Sequence, residues 1–185
     1  MAKSGRSETE SLLQHWREAV PDDRLAHLVR DAARALTRSL SVRLAEHQVS
    51  FGHWSFLRVL WVADGLTQRE LSDRAGVMEP TTFSAIKTME QLGYVTRRQH
   101  EDNRKKVYIH LTPKGLMLKE RLVPLAEEVN RIAVDGVAPE HVAITRSVLL
   151  TMIENIARND GLLALPMPST RVIAKIARSQ TPGKR

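Results

Sequence analysis

The sequence contains no cysteine, which excludes disulfides, thiolate metal sites and thiol-based redox sensing. Aromatic residues make up only 4% of the 185 residues, and this scarcity argues against a platform that stacks RNA or single-stranded bases. No apolar run approaches the roughly 18 residues of a membrane span, and the polar N-terminus lacks the apolar core of a signal peptide. We therefore expect a soluble, cytoplasmic protein.

The histidines show no metal-ligand spacing of the HExxH kind, and we expect no metal site and no cofactor. A histidine site assembled from distant segments or from two chains stays open as an alternative. Lys and Arg number 28 against 21 Asp and Glu, so the net charge is +7 and the isoelectric point is near 10.1. A polyanionic partner is therefore indicated, although charge alone does not separate DNA from RNA or an acidic membrane.

Residues 67–93 predict two short helices joined by a turn. Thr67 and Glu70 have the spacing of a capping box, in which each side chain satisfies an unpaired amide at a helix start. Gly76 offers the left-handed conformation that commonly ends a helix. Pro80 suits the first turn of the next helix, where its missing N–H costs nothing. This order is typical of a helix-turn-helix.

The second of these helices is predicted to have one apolar and one polar face. The face that we expect to be buried consists of Phe83, Ile86, Met89 or Glu90, and Leu92. The opposite face carries Thr81, Thr82, Ser84, Ala85, Lys87 and Thr88. Small hydroxyl side chains and one cation fit the major groove of DNA without steric conflict. We therefore predict that this face reads DNA.

A basic β-hairpin is predicted after these helices, with strands over 94–98 and 106–111. Its central part carries five cations and two acids: Arg97, Arg98, Arg104, Lys105 and Lys106 against Glu101 and Asp102. A cationic hairpin beside a recognition helix can follow phosphates or insert an arginine into the minor groove. An ordinary solvated hairpin is the alternative for this segment alone.

The fold class that follows is mostly α with a small β-wing, a winged helix-turn-helix flanked by long dimerisation helices. We expect an N-terminal extension over 1–22, a helical dimerisation region over 23–50 and 113–160, and a winged helix-turn-helix DNA-binding domain over 51–112. Residues 161–185 form a C-terminal segment with a possible short helix and a basic tail. Long amphipathic helices run over 23–47 and through 113–160, and an apolar helix over 53–64 should be buried. A two-fold dimer covers their apolar faces economically, and a monomeric bundle is the alternative.

The chain from about Asp23 to Ile156 resembles the MarR family of bacterial transcriptional regulators, and the motifs that carry the resemblance lie in residues 67–115. The resemblance rests on Thr-Gln-Arg-Glu-Leu, Ala-Gly-Val, Glu-Pro-Thr-Thr, Met-Glu-Gln-Leu-Gly-Tyr-Val, Asp-Asn-Arg and Leu-Thr-Pro-Lys-Gly. It implies an obligate homodimer that binds an inverted-repeat operator, and in most cases represses until a small ligand binds between the dimerisation helices and the winged module. It further implies that Asp102 orients the wing by a salt bridge and that Arg104 enters the minor groove. Family members more often carry an arginine on the recognition helix, where this chain has only Lys87.

Some members of the family sense peroxides through a cysteine, which this chain lacks. The resemblance therefore implies that it senses a small ligand, often an aromatic or phenolic compound in this family. His53, Trp54, Arg58 and Trp61 lie on the helix that would floor such a pocket. Core packing is the favoured interpretation of the two tryptophans, because tryptophan at helical spacing usually packs in the core. If Arg58 points inward it needs a negative partner, such as Asp64, another acid of the protein or the carboxylate of an effector.

The sequence therefore predicts a homodimeric, ligand-responsive transcriptional regulator, most simply a repressor, that binds palindromic double-stranded DNA. A small molecule, an aromatic acid or its CoA thioester, is expected to release it. The leading alternative is an architectural protein that binds DNA without sequence preference. An enzyme with a fused winged helix is disfavoured, because no nucleophile–base pair, phosphate loop or paired acids stand at useful spacing.

Overall fold

The computed structural model describes residue 14 and residues 25–100 and 103–160. The expected N-terminal extension (Gln14 excepted), the wing-tip residue Asp102 and the C-terminal segment lie outside the described residues. The chain divides into two compact units, residues 1–133 and residues 134–185, which are described separately.

The first unit begins with two helices, α1 over Leu25–Ala45 and α2 over Phe51–Leu60. The long N-terminal helix is thus confirmed. Helix α2 starts at Ser50, whose side chain accepts a hydrogen bond from the His53 N–H. It ends before the predicted residue 64, and Val62 is 90% exposed. The prediction that this whole segment is buried is therefore wrong at its C-terminal end.

The helix-turn-helix follows, with strand β1 over Leu66–Thr67, helix α3 over Gln68–Ala75 and helix α4 over Glu79–Gln91. The capping box is confirmed, since the Thr67 N–H donates to Glu70 Oε2 at 2.8 Å and the Glu70 N–H donates to Thr67 Oγ1 at 3.3 Å. Gly76 ends α3 in the left-handed conformation at φ +64°. Pro80 lies in the first turn of α4, as predicted.

The wing is an antiparallel hairpin of β2 over Val95–His100 and β3 over Asn103–Leu111. β1 pairs antiparallel with β3, so the sheet order is β1-β3-β2. Sequence patterning did not predict β1, because two residues show no alternation and this strand exists only through its partner.

Helix α5 over Pro113–Ala133 starts in close contact with the end of the helix-turn-helix. The Thr112 hydroxyl donates to the Gly93 carbonyl at 2.6 Å and accepts from the Gly115 N–H at 3.1 Å. A Cβ atom at Gly115 would lie 2.1 Å from the Tyr94 carbonyl oxygen, so the two backbones pack too closely for any side chain. The end of α4, the start of β2 and the start of α5 therefore form one rigid junction.

A single hydrophobic core lies beneath these elements. Its largest fully buried side chains are Tyr94, Phe56, Leu44, Leu57, Leu60, Leu71, Ile86, Met89, Ile109, Leu122, Val49 and Val95. They come from the helices and from the sheet, so the core holds the helix-turn-helix and the base of the wing together.

In the described part of the second unit, helix α6 runs over Pro139–Asp160. It exposes six large apolar side chains, namely Ile144, Val148, Leu149, Leu150, Ile153 and Ile156. In the first unit, α1 also exposes apolar side chains, namely Leu25, Leu28, Leu36 and Val42. Among the described residues, no helix combines the length and the apolar character needed to cross a membrane.

Candidate nucleic-acid interface

Helix α4 packs against the core with one side and exposes polar side chains on the other. Its buried residues are Thr82, Ile86 and Met89, which recur at helical spacing. Opposite them, Thr81, Ser84, Lys87 and Thr88 are exposed and Ala85 is partly buried. Thr81, Ser84, Lys87 and Thr88 are therefore exposed, as the sequence predicts.

Thr82 does not belong to that exposed face, and its predicted orientation is wrong. Its hydroxyl is fully buried, 3.2 Å from Ser72 Oγ and 3.2 Å from the Met78 carbonyl oxygen. Ser72 in turn donates to the carbonyl of Val77 in the turn. Thr82 therefore joins the two helices of the helix-turn-helix instead of facing solvent, because buried hydroxyls require partners.

The prediction for Phe83 is wrong in the opposite sense. Its side chain is 50% exposed, although the sequence places it in the buried stripe. Thr82 and Phe83 both stand at helical spacing from Ile86 and Met89, so periodicity allows either to lie on the buried side. The structure buries Thr82, whose hydroxyl meets Ser72 and the carbonyl of Met78. The signal was present in the sequence, but hydrophobicity favoured the wrong stripe.

The cations of the wing differ in their surroundings. Arg97 binds Glu90 of α4 through two nitrogens, at 2.9 Å and 2.5 Å from Oε2, and this hydrogen bonding lowers the pKa of the Glu90 carboxyl. Arg98 and Lys106 are exposed. Arg104 and Lys105 belong to β3 by their backbone, and their side chains lie outside the described ones.

The Asp64 carboxylate contacts the end of β3, at the base of the wing. One carboxylate oxygen accepts from the Leu111 N–H at 2.8 Å, and the other lies 3.1 Å from His110 Nδ1. The predicted alternative that Asp64 pairs with Arg58 is therefore wrong, since Asp64 is directed to the end of β3.

A cleft of about 330 Å³ opens between α1, α2 and α5. It is lined by Leu36, Thr37, Leu40, Phe51, Trp54, Arg58, Val123, Ala126, Glu127, Val129 and Asn130. The Arg58 guanidinium lies 5.9 Å from the centroid of the Trp54 ring, and it forms no ion pair with any described residue. The cleft thus combines apolar side chains with one exposed cation, Arg58, and one exposed acid, Glu127. An anion with an apolar body could pair with Arg58 at the mouth of the cleft and place its apolar part against the walls.

The other two predicted effector residues are not among those that line this cleft. Trp61 packs edge-on against Trp54, with ring centroids 5.5 Å apart, and its indole N–H donates to the Gly115 carbonyl at 3.0 Å. His53 is half-buried, and its Nδ1 has no hydrogen-bond partner among the described residues. Burial lowers the pKa of His53.

Comparison with known proteins gives one consistent result. The family model described as "MarR family" matches residues 49–107. The transcriptional regulator TtmR of Methylorubrum extorquens is 30% identical over 130 residues, which are 70% of this chain and 62% of TtmR. The homoprotocatechuate degradative operon repressor of Escherichia coli is 28% identical over 102 residues, which are 55% of this chain and 67% of the repressor.

Among solved structures, the fold matches that of a MarR-family regulator from Listeria monocytogenes in complex with 26-mer DNA. The TM-score is 0.64 at 24% identity, and the match covers 73% of this chain and 90% of the Listeria chain. A match at this level of identity establishes the winged helix-turn-helix fold.

Proposed function

Because the chain belongs to the MarR family of DNA-binding transcriptional regulators, we propose that it is a homodimeric, ligand-responsive repressor of an inverted-repeat operator. The proposal depends chiefly on one observation, the exposed hydroxyl and cationic face of α4 beside a basic wing. The relatives named above are transcriptional regulators rather than enzymes. A regulator of this kind acts on the chromosome, which places it in the cytoplasm.

The proposed DNA contacts fall into two sets. Thr81, Ser84, Lys87 and Thr88 face the major groove, where hydroxyls and a cation can bond base edges and phosphates. We propose that Arg98 follows the backbone, that Arg104 enters the minor groove, that Lys105 contributes to phosphate binding, and that Asp102 orients the wing by a salt bridge. The Listeria regulator of the same fold was solved with DNA, which is consistent with DNA binding by this fold.

The proposed dimer is formed by residues 23–50 and 113–160. It is supported by the exposed apolar side chains of α1 and α6, which a second copy would cover. Two-fold symmetry would set the two α4 helices about 34–36 Å apart, one turn of DNA. Light scattering should therefore report twice 20.9 kDa, and a monomer at micromolar concentration would contradict the two-half-site geometry.

The proposed effector site is the cleft between α1, α2 and α5. Trp54 offers a ring surface and Arg58 an unpaired cation, so an aromatic acid or its CoA thioester is the class of ligand that we propose. The relative that represses a homoprotocatechuate degradative operon is consistent with this class. A ligand in the cleft would contact both a long helix and α2, which packs on the helix-turn-helix.

The test of DNA recognition is fluorescence anisotropy with the upstream intergenic DNA of the gene and a shuffled duplex of equal composition. We expect tight binding to the native fragment alone at physiological salt, and weaker binding by Arg104→Ala. Equal and strongly salt-dependent binding to both duplexes would instead favour architectural, non-specific binding. Unchanged operator affinity of Arg104→Ala would remove the wing from the mechanism.

The test of the effector site uses the same assay in the presence of aromatic acids and their CoA thioesters. A ligand that releases the wild-type protein should release Arg58→Gln only at much higher concentration, because the variant lacks the cation that pairs with the carboxylate. Lys119→Gln is the matched control, since it removes an exposed cation of α5 that does not line the cleft. Equal ligand sensitivity of the two variants would contradict this site.

A further inference from the structure

Phe83 is a large apolar side chain on the solvent side of helix α4, and it is 50% exposed. The core does not use this side chain, because α4 packs inward through Thr82, Ile86 and Met89. The position is instead one helical turn before Lys87 and next to Ser84, both of which are exposed. Phe83 therefore stands at the border of the face that is proposed to read DNA.

We propose that Phe83 is a specificity-determining residue that contacts the C5 methyl group of a thymine in the major groove. This inference rests on the proposed function and assigns one base-reading contact within it. A phenyl ring neither donates nor accepts a hydrogen bond of ordinary strength, so the polar base edges offer it little. The thymine methyl is the apolar group that base pairs present in the major groove, and it is a known partner of phenylalanine.

The neighbouring side chains favour DNA over a protein partner as the occupant of this surface. Lys87 is exposed one turn away, and Arg98 and Lys106 are exposed on the adjoining wing. Of the two acids of α4, Glu90 is bound by Arg97, so its charge is compensated, whereas Glu79 is exposed one turn before Phe83. The exposed cations Lys87, Arg98 and Lys106 outnumber this one acid. A surface with this balance attracts a phosphate backbone, and it leaves the ring of Phe83 beside the bases.

The proposed contact would also supply base discrimination that α4 does not obtain from an arginine, because α4 contains none. Lys87 is the single cation among the described residues of α4, and a lysine acts as a point charge without the planar fork that reads guanine. Methyl recognition by Phe83 would instead select a thymine at a defined position of each half-site. Discrimination would then come from apolar contact as well as from hydrogen bonds.

The experiment removes the methyl group without changing base pairing. An operator selected from a random duplex pool by the wild-type protein is synthesised with deoxyuridine in place of each thymine in turn. Affinities are measured at constant salt for the wild type, Phe83→Ala and Phe83→Leu. Val62→Ala is the control for loss of an exposed apolar side chain on another part of the molecule.

For the wild type and Val62→Ala, uracil at one position of each half-site should weaken binding about fourfold per methyl group. Phe83→Ala should bind the thymine operator more weakly and show no penalty at that position, and Phe83→Leu should retain part of the penalty. All variants should unfold at the temperature of the wild type, because the side chain is outside the core.

Two results would overturn the inference in distinguishable ways. If the selected operator is bound specifically but Phe83→Ala keeps the full uracil penalty, Phe83 does not read the methyl group and the regulator proposal stands. If the wild type selects no sequence from the pool, sequence-specific regulation fails together with this contact.

Discussion

The hydroxyl oxygens of Thr82 and Ser72 lie 3.2 Å apart inside the helix-turn-helix, with both side chains almost completely buried. Ser72 belongs to α3 and Thr82 to α4, so the contact joins the two helices of the helix-turn-helix. Backbone carbonyls of the intervening turn, at Val77 and Met78, accept from the same hydroxyls. This buried network links α3, the turn and α4 through hydrogen bonds.

Replacement of Thr82 by valine should therefore lower the free energy of unfolding by about 1 kcal/mol, the usual net value of one buried hydrogen bond. The shape of the side chain is kept, so the loss reports the hydroxyl. Urea unfolding measures the change, with Thr145→Val as control, because the Thr145 hydroxyl on α6 is exposed and donates only to the His141 carbonyl at 2.8 Å. Equal stability of Thr82→Val and the wild type would show that the network contributes nothing.

Replacement of Gly115 by alanine should destabilise the protein by about 3 kcal/mol or more, because the new methyl group would overlap the Tyr94 carbonyl. The backbone at Tyr94, just before β2, would have to move away from α5. Gly52→Ala is the matched control, since its Cβ would meet nothing closer than Ser50 Oγ at 3.8 Å. That variant should be neutral or up to about 1 kcal/mol more stable. Thermal unfolding of both variants checks the prediction, and similar unfolding temperatures would refute the close contact at Gly115.

Arg97 and Arg98 should contribute differently to DNA binding. Arg97 is compensated by Glu90, so the double variant Glu90→Gln with Arg97→Gln keeps the net charge and should leave the salt dependence of binding nearly unchanged. Arg98→Gln removes an exposed cation and should reduce the slope of log affinity against log salt concentration by about 1 per contact. Anisotropy titrations over a range of salt concentrations measure both slopes. A larger change for the double variant would place Arg97, not Arg98, on the phosphates.

His53 should make the protein less stable as the pH falls. Burial lowers its pKa from the ordinary 6.5, so the unfolded chain binds this proton at a higher pH than the folded protein does. The stability associated with neutral His53 is therefore complete above about pH 6.5 and is lost as the pH falls toward the folded pKa.

His53→Phe should flatten the dependence of the unfolding free energy on pH between about pH 7 and pH 5. The exposed His141 on α6 provides the control variant, His141→Gln, which should keep the slope of the wild type. An unaltered slope in His53→Phe would assign the dependence to other groups.

Elements with local signals were predictable from the sequence. The start of α3 depends on Thr67 and Glu70, which satisfy each other's amides within four residues. Its end at Gly76 and the proline in the first turn of α4 likewise depend on backbone preferences of single residues. The hairpin and the long helices follow from apolar periodicity and turn composition.

Contacts between distant segments were not predictable in this way. Strand β1 exists only because Leu66 pairs with Ile109, and Asp64 finds its partners 46 and 47 residues further along the chain. The cleft brings Trp54 and Arg58 together with α1 and α5, whereas the sequence had grouped them with His53 and Trp61. Periodicity says that residues share a helix, but it does not say which helix packs against them.

Helix α4 shows the division most clearly. Its existence, its limits and the exposure of Thr81, Ser84 and Thr88 followed from the sequence alone, because proline, glycine and polar spacing act within one or two turns. The burial of Thr82 in place of Phe83, beside the predicted Ile86 and Met89, was decided by tertiary structure. A hydroxyl that meets Ser72 and the turn carbonyls is stable inside the domain, and the neighbouring ring is then directed to solvent.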